Sequence, residues 1–405
     1  MPRAAWWRAD VNVEFKARLH AAVSDMRLGI FFDGEGKTKE VEAAESLPGF
    51  WPMREFLYRP ILMPGNDAVV HDEVIRALDM AADLLNAGHW QHGLQLQHHA
   101  MAAGRLALTN SAWRILAREE CLSHPVRQFV HQDPFTRRSF EKPRGYAGDA
   151  VLLDYIYGIS HSEHELCDAT PFGRWMCNFG ANTCASRAVR RRMHLAAELI
   201  DRVCSQRRDA RILSLASGHA RELQMSHAIR SDLAELVVAF DQDEASLAEV
   251  EATAPSRSVR TVHGSIARLI AGRHDFAGFD LVYALGLFDY LEDRAARRLV
   301  EVMVDMLRPG GIVMVGNFLP DIYDAGYMES FMGWDLKFRP PVAIAALMDG
   351  VKSRVEDIRY FEESEGNIGF AAARRRTGTM RAVAKEESRV RFARCGLHPK
   401  SASIL

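Results

Sequence analysis

From Ala210 to Val315 short β-rich runs alternate with helical ones, and no other feature of the chain constrains its fold as strongly. Candidate strands are Arg211–Leu215, Glu235–Phe240, Ser258–His263, Phe279–Leu285 and Gly311–Gly316, with helical stretches at 220–231, 244–253, 265–271 and 291–307 between them. A strand, a crossover helix and a second strand in the same direction form a right-handed unit. Repetition of that unit predicts an α/β domain with a parallel sheet. Two later runs, Glu356–Glu362 and Asn367–Ala373, flank a Glu/Ser/Gly turn and predict an antiparallel pair closing the sheet edge.

Upstream the pattern is helical. Val74, Ile75, Leu78, Met80, Ala81, Leu84 and Leu85 fall at three- and four-residue spacings. Further helices are expected over His92–Leu106, Ser111–Glu120 and Ala185–Ser205. Residues 1–66 follow no single period, and Pro48-Gly-Phe-Trp-Pro-Met reads as loop. With 405 residues, two cores are expected: a helical N-terminal or lid domain over 1–165, an α/β domain over 166–375, and a basic, mobile tail over 376–405. The net charge of −2 sets up no field for nucleic acid or an anionic membrane. No run approaches a membrane span, Met1–Arg8 has no apolar signal stretch, and the six cysteines form no C-x-x-C pair. A cytoplasmic protein is expected, with no nucleic-acid or membrane partner. A homodimer is left open.

The loop after the first strand begins the chemistry. In Arg211-Ile-Leu-Ser-Leu-Ala-Ser-Gly-His-Ala-Arg-Glu222, Gly218 would let backbone approach a ligand, and the following helix start offers free amides. One glycine is weak evidence alone. About twenty residues on, Leu236-Val-Val-Ala-Phe ends in Asp241-Gln-Asp-Glu, where an acidic residue is placed to accept ribose hydroxyls. Asp241 is the candidate, and Asp243 is read as a helix N-cap. Val262-His-Gly-Ser-Ile266, Phe279-Asp-Leu-Val-Tyr-Ala-Leu-Gly-Leu-Phe-Asp-Tyr-Leu-Glu-Asp293 and Met306-Leu-Arg-Pro-Gly-Gly-Ile-Val-Met-Val315 complete the series.

This ordered set resembles the class I S-adenosylmethionine (SAM)-dependent methyltransferases over about 170 residues. The resemblance implies a Rossmann-like seven-stranded sheet, mostly parallel with an antiparallel last strand, behind an all-helical N-terminal domain. It implies SAM as cofactor, with Ala216, Ser217 and Gly218 (and His219 in the same loop) beside its methionine portion. Asp241 and Gln242 would then hold ribose and adenine, Ser265 and Ile266 would flank the adenine, and Ala284, Leu285 and Gly286 would pass beneath the methyl group. The first motif departs from the family's: Ala216 and Ser217 stand at its more usual acidic and glycine positions, and His219-Ala220 replaces a second glycine. A nicotinamide dehydrogenase is the main rival, and it lacks the G-x-G-x-x-G fingerprint.

Arg144-Gly-Tyr-Ala-Gly-Asp149 packs cationic, aromatic and glycine residues into a loop-like cluster. It has two readings. In one it walls a site, with Arg144 binding a carboxylate bidentately and Tyr146 supplying ring and hydroxyl. In the other it is an inter-domain brace, with Asp149 capping the next helix. With Gly316-Asn-Phe and Trp334-Asp-Leu-Lys-Phe-Arg339 it resembles a bacterial subgroup carrying an RGYxGD motif, whose members are often labelled as making a 3-hydroxypalmitic acid methyl ester signal. That implies a small acceptor bearing a carboxylate, amine or hydroxyl.

Methyl transfer needs alignment and exclusion of water, and a base only for amine or hydroxyl acceptors. Asp289, Tyr290 and Tyr146 are the catalytic candidates, with His219 as a further base. Each also has a plain capping or packing reading. Asn317, Tyr327 and Arg339 are candidate substrate contacts, although Tyr327, Trp334 and Arg339 would equally serve as the core of a helical insertion. Two other functions stay open: a cyclase releasing methylthioadenosine from SAM, and a non-catalytic SAM-binding regulator. No metal site is expected, since His161-Ser-Glu-His-Glu-Leu-Cys167 does not put three ligands on one helical face. The Arg190-Arg-Arg192 run reads as a solvated helix face.

Overall fold

The computed structural model describes residues 66–159 and 168–377. The domain boundary expected at 165/166, the His161–Cys167 run and the tail beyond Thr377 lie outside them, as do residues 1–65.

The helical part opens with α1 (Asp67–Asn86) and α2 (Trp90–Ala107). Asn66 caps α1 by accepting Ala68 N at 3.2 Å, and the buried stripe Val70, Val74, Ala77, Leu78, Ala81, Leu85 follows helical spacing. Gly93 and Gly104 of α2 let the two helices close up, since a Cβ at either would meet Leu85 or Val74 side chains within about 3 Å. The chain continues through α3 (Asn110–Ile115), a π-helical turn Leu116–Glu120, α4 (Pro134–Glu141), α5 (Ala150–Tyr157), α6 (Pro171–Ala181) and the long α7 (Cys184–Gln206).

The sheet then follows the expected alternation: β1 (Ala210–Leu215), β2 (Ala234–Asp241), β3 (Val259–His263), β4 (Phe279–Ala284), β5 (Leu307–Phe318), β6 (Val355–Glu362) and β7 (Ile368–Arg375). The order across the sheet is β3-β2-β1-β4-β5-β7-β6. Strands β1 to β5 pair in parallel, and β7 runs antiparallel to both its neighbours. This is the Rossmann-like methyltransferase sheet implied by the motifs, with the carboxyl ends of β1, β2 and β4 side by side. The strands alternate between two cores. Ile212, Val237, Leu281, Tyr283 and Met314 join the helical part in one continuous buried cluster. Leu213, Val238, Val282, Val313 and Val315 face α8 (Asp293–Met306) in the other.

Two local readings change. The Leu307-Arg-Pro-Gly-Gly311 turn lies within β5, because the β4–β5 register slips from Phe279–Leu307 to Leu281–Ile312 and the extra residues form a bulge. The helix expected at 220–231 is two short pieces, Arg221–Met225 and His227–Arg230, broken where Ser226 caps the second through Ile229 N.

Candidate active site

The loop after β1 turns on three left-handed residues, Ala216 (φ 51°), Gly218 (φ 52°) and Ala220 (φ 47°). Two are alanines, so the loop stores strain of roughly 1–2 kcal/mol at each. Asp241 at the end of β2 holds the loop: its carboxylate accepts Gly218 N at 2.8 Å and Asp243 N at 2.9 Å. Lone pairs remain for further donors. Gly218 has a role the sequence did not suggest, because a Cβ there would lie 3.2 Å from the Ala150 Cβ of α5. The glycine lets the helical part approach the loop.

Above this floor lies a cavity of about 380 Å³ at the carboxyl ends of β1, β2 and β4. Ala216, Ser217, Gly218, His219, Asp241, Gln242, Ile266, Leu285, Gly286, Tyr146 and Tyr290 line it together. Ser265 stands aside, capping the helix Ile266–Ile270 through Arg268 N at 3.4 Å, and Ala284 is wholly buried in β4.

The roof is Arg144–Tyr157. Arg144 donates from one guanidinium nitrogen to Asp243 Oδ2 (2.8 Å) and Ser246 Oγ (2.9 Å), and that nitrogen lies 3.3 Å from His219 Nε2. It is therefore a brace, already paired, and the expectation that it binds an acceptor carboxylate is corrected. Burial pushes the Tyr146 hydroxyl pKa up. Gly148 gives close approach, since a Cβ there would overlap the Trp334 ring and come 2.8 Å from Tyr290 Oη. Asp149 caps α5 through Leu152 N (2.8 Å) and takes a two-point pair from Arg138 (3.0 and 2.9 Å). Asp154, fully buried, pairs with Arg221 (2.9 and 2.8 Å) and with His219 Nδ1 (2.6 Å). Burial pushes its carboxyl up, but the Arg221 and His219 bonds outweigh that and hold it at about 2. His219, fixed on both ring nitrogens, is an orienting bridge rather than a free base.

Asp289 does not line the cavity. It is buried and accepts Phe318 N at 2.7 Å, and burial lifts its carboxyl to about 7 against that bond. Tyr290 faces the cavity and accepts Trp334 Nε1 at 2.8 Å. The remaining substrate candidates are corrected. Arg339 and Asn317 bond to each other (2.6 Å), to the Phe288 and Lys337 carbonyls and to Asp293, bracing the end of β5. Tyr327 belongs to a helix, Ala325–Phe331, packed on α2. Its ring stacks on His98 at 4.2 Å between centroids, and its hydroxyl bonds Thr136 at 2.8 Å. Among the described residues no His/Cys/Asp/Glu group is arranged to hold a metal, and no helix is long and apolar enough to cross a membrane.

Arg192, Glu222, Tyr157 and Tyr283 also line the cavity, and sequence reasoning missed them. For Arg192 a signal existed. Ala185, Ala188, Val189, Met193 and Ala196 define the buried stripe of α7, and residue 192 falls on it. The triple-arginine run concealed this: Arg191 is exposed, while Arg192 is 6% exposed. A shallower depression beside Asp232, Pro255 and Ser256, about 490 Å³, lies toward the amino ends of β2 and β3, away from the switch point.

No protein-family model matches the chain, and no curated protein matches its sequence. Among solved structures it is similar to a protein of Bordetella parapertussis described as a possible exported protein (15% identity, 77% of this chain and 98% of that one, TM-score 0.45). It is also similar to the magnesium protoporphyrin IX methyltransferase of Synechocystis PCC 6803 with bound S-adenosylhomocysteine (11%, 47% and 86%, 0.36). A third is an N-methyltransferase of Bradyrhizobium japonicum WM9, also with S-adenosylhomocysteine (14%, 45% and 86%, 0.33). At these scores the fold rests on the strand order of the chain itself.

Proposed function

We propose that the chain is a SAM-dependent methyltransferase acting on a small acceptor. One observation carries the reading. At the switch point of a sheet ordered β3-β2-β1-β4-β5-β7-β6, a strained loop and the Asp241 carboxylate meet in a roofed cavity. The residues suit the cofactor: Asp241 keeps free lone pairs where ribose hydroxyls would donate, Ile266 is an apolar neighbour for a base, and Tyr146, Tyr157 and Tyr283 stand in the wall as aromatic residues, a type compatible with a cation. Bound SAM supplies a methyl group already activated on a sulfonium centre.

The chain's part is positioning and dryness. Arg144–Tyr157 covers part of the cavity, which would limit the access of water to a bound ligand. A volume near 380 Å³ lies at the low end of ligand pockets, roughly 300–1,000 Å³, and is of the size the cofactor itself needs; the cover of Arg144–Tyr157 over it is what supports a small acceptor over a macromolecule. A carboxylate acceptor needs no base. For an amine or hydroxyl acceptor a proton must leave to a base, and the Tyr290 hydroxyl, which accepts from Trp334 and stays protonated, would orient such an acceptor rather than take that proton.

Turnover with SAM and a panel of small carboxylates, amines and alcohols, read by mass spectrometry of the nucleoside product, tests this. S-adenosylhomocysteine is expected. Methylthioadenosine would replace methyl transfer by cyclisation of SAM, and binding without either product would leave a regulator.

A further inference from the structure

The cavity of about 380 Å³ has the size that the cofactor itself needs, so an acceptor requires room beyond it. The depression beside Asp232 opens toward the amino ends of the strands and supplies none. A smaller space of about 30 Å³ lies between the helical part and the end of β5. Two helices run past both spaces. On α5, Tyr157 lines the cavity and Ile156 the smaller space. On α7, Met193 lines the cavity, and Val189, one turn or about 6 Å away, lines the smaller space. Trp334 stands between the two. It borders the smaller space, and its indole also meets Gly148 and Tyr290 of the cavity wall. A Cβ on Gly148 would overlap the indole, and Nε1 donates to the Tyr290 hydroxyl at 2.8 Å. Trp334 follows Gly333 (φ 55°) in a stretch, 333–340, without helix or strand, so the indole can move without breaking either.

The lining of the smaller space selects what can enter. His98, Phe135, Phe318 and Tyr327 give it rings, Val189 and Met328 give it aliphatic chains, and no lysine or arginine is among its lining residues. Burial pushes the His98 imidazole down to about 4, which keeps it neutral. Asp324 is turned to the start of α7, where it accepts Ala185 N at 2.7 Å, and burial pushes its carboxyl up. A charged group entering here would lose its water without gaining a partner. At about 30 Å³ the space has room for one water. With the indole displaced it gains the volume of that ring.

We propose that Trp334 is a movable partition and the specificity-determining residue for the acceptor, whose uncharged apolar end, about the size of one ring, takes the place of the indole and fills the space behind it. A hydroxyl or amine on that acceptor then donates to Tyr290 Oη as Trp334 Nε1 does in this structure. The proposal rests on the methyltransferase reading, which supplies the acceptor.

Fluorine NMR of the full chain carrying fluorotryptophan and saturated with S-adenosylhomocysteine reads the indole directly, and Trp334→Phe identifies its resonance. Phenol and cyclohexanol should shift that resonance and leave those of Trp90 and Trp175 in place. Succinate, charged at both ends, should shift none. In turnover, Trp334→Ala should move the preference toward acceptors whose apolar end is larger by about one ring, by about 10-fold or more in kcat/KM. Its affinity for S-adenosylhomocysteine should stay within about threefold of wild type, which shows that the variant is folded. Should Trp334→Ala not fold, the fluorine readout decides. A Trp334 resonance that neither probe moves, that succinate moves equally, or that moves only together with every other indole overturns the proposal alone. An unchanged order of acceptors in Trp334→Ala does the same. A wild type that binds no S-adenosylhomocysteine, or that releases methylthioadenosine from SAM, removes the methyltransferase reading beneath it.

Discussion

The floor of the cavity is built from backbone, and its roof is held by side chains. Below, Ala216, Gly218 and Ala220 turn the chain through left-handed conformations, and the loop is fastened by Gly218 N donating to Asp241. Above, Arg144, Asp149 and Asp154 hold the roof through Asp243, Arg138, Arg221 and His219, the last two in the β1 loop and the helix start after it. A floor of this kind tolerates changes that preserve its dihedral angles. The roof depends on buried charges, where removing one partner leaves the other stranded.

The largest effect expected from that difference is at Asp154. Asp154→Ala should cost about 3–5 kcal/mol, because it takes a buried partner from both Arg221 and His219. Denaturant melts would measure it. A loss under about 1 kcal/mol would mean that Glu249, which also accepts from Arg221 at 2.7 Å, carries the pair alone. Next comes Gly148→Ala, whose Cβ would press on Trp334 and the Tyr290 hydroxyl. It should cost about 1–3 kcal/mol as overpacking, and a melting temperature equal to wild type would show that the roof gives way there.

Acid sharpens the same contrast. The Asp154 carboxyl is held at about 2 in the folded chain against 3.8 ordinarily. A depressed acid stabilises above its unfolded pKa, so the full contribution, roughly 2 kcal/mol, is present above about pH 4 and lost as the pH falls toward 2. Stability followed from pH 5 to 2 in wild type and Asp154→Asn should show that slope only in the wild type. The smallest effect belongs to the floor. Ala216→Gly and Ala220→Gly relieve left-handed alanines and should stabilise by about 0.5–1 kcal/mol. Destabilisation would mean that those alanine side chains contribute packing that outweighs the strain.

The floor was largely legible in the sequence and the roof only partly. Asp241 stood at a strand end marked by apolar period, so its place followed from local pattern. Each residue of Arg144–Asp149 drew attention, yet whether Arg144 faced a ligand or Asp243, 99 residues away, is a long-range pairing that no spacing encodes. Tyr327, Asn317 and Arg339 were plausible contacts because their loop follows β5. The helix Ala325–Phe331 instead packs on α2, and Arg339 turns inward to Asn317. Arg192 shows the converse, a functional candidate hidden in a basic run although its helical phase was readable.

Sequence alone determined the sheet, its parallel strands with a reversed partner near the edge, and the crevice where a ligand would lie, because hydrophobic period and turn chemistry act over neighbouring residues. Tertiary structure decided which polar groups are already paired and which still face the cavity. That depends on how buried charges from distant segments neutralise one another, and only the folded chain brings Asp154 to Arg221 while leaving Arg192 and Glu222 without an ion pair.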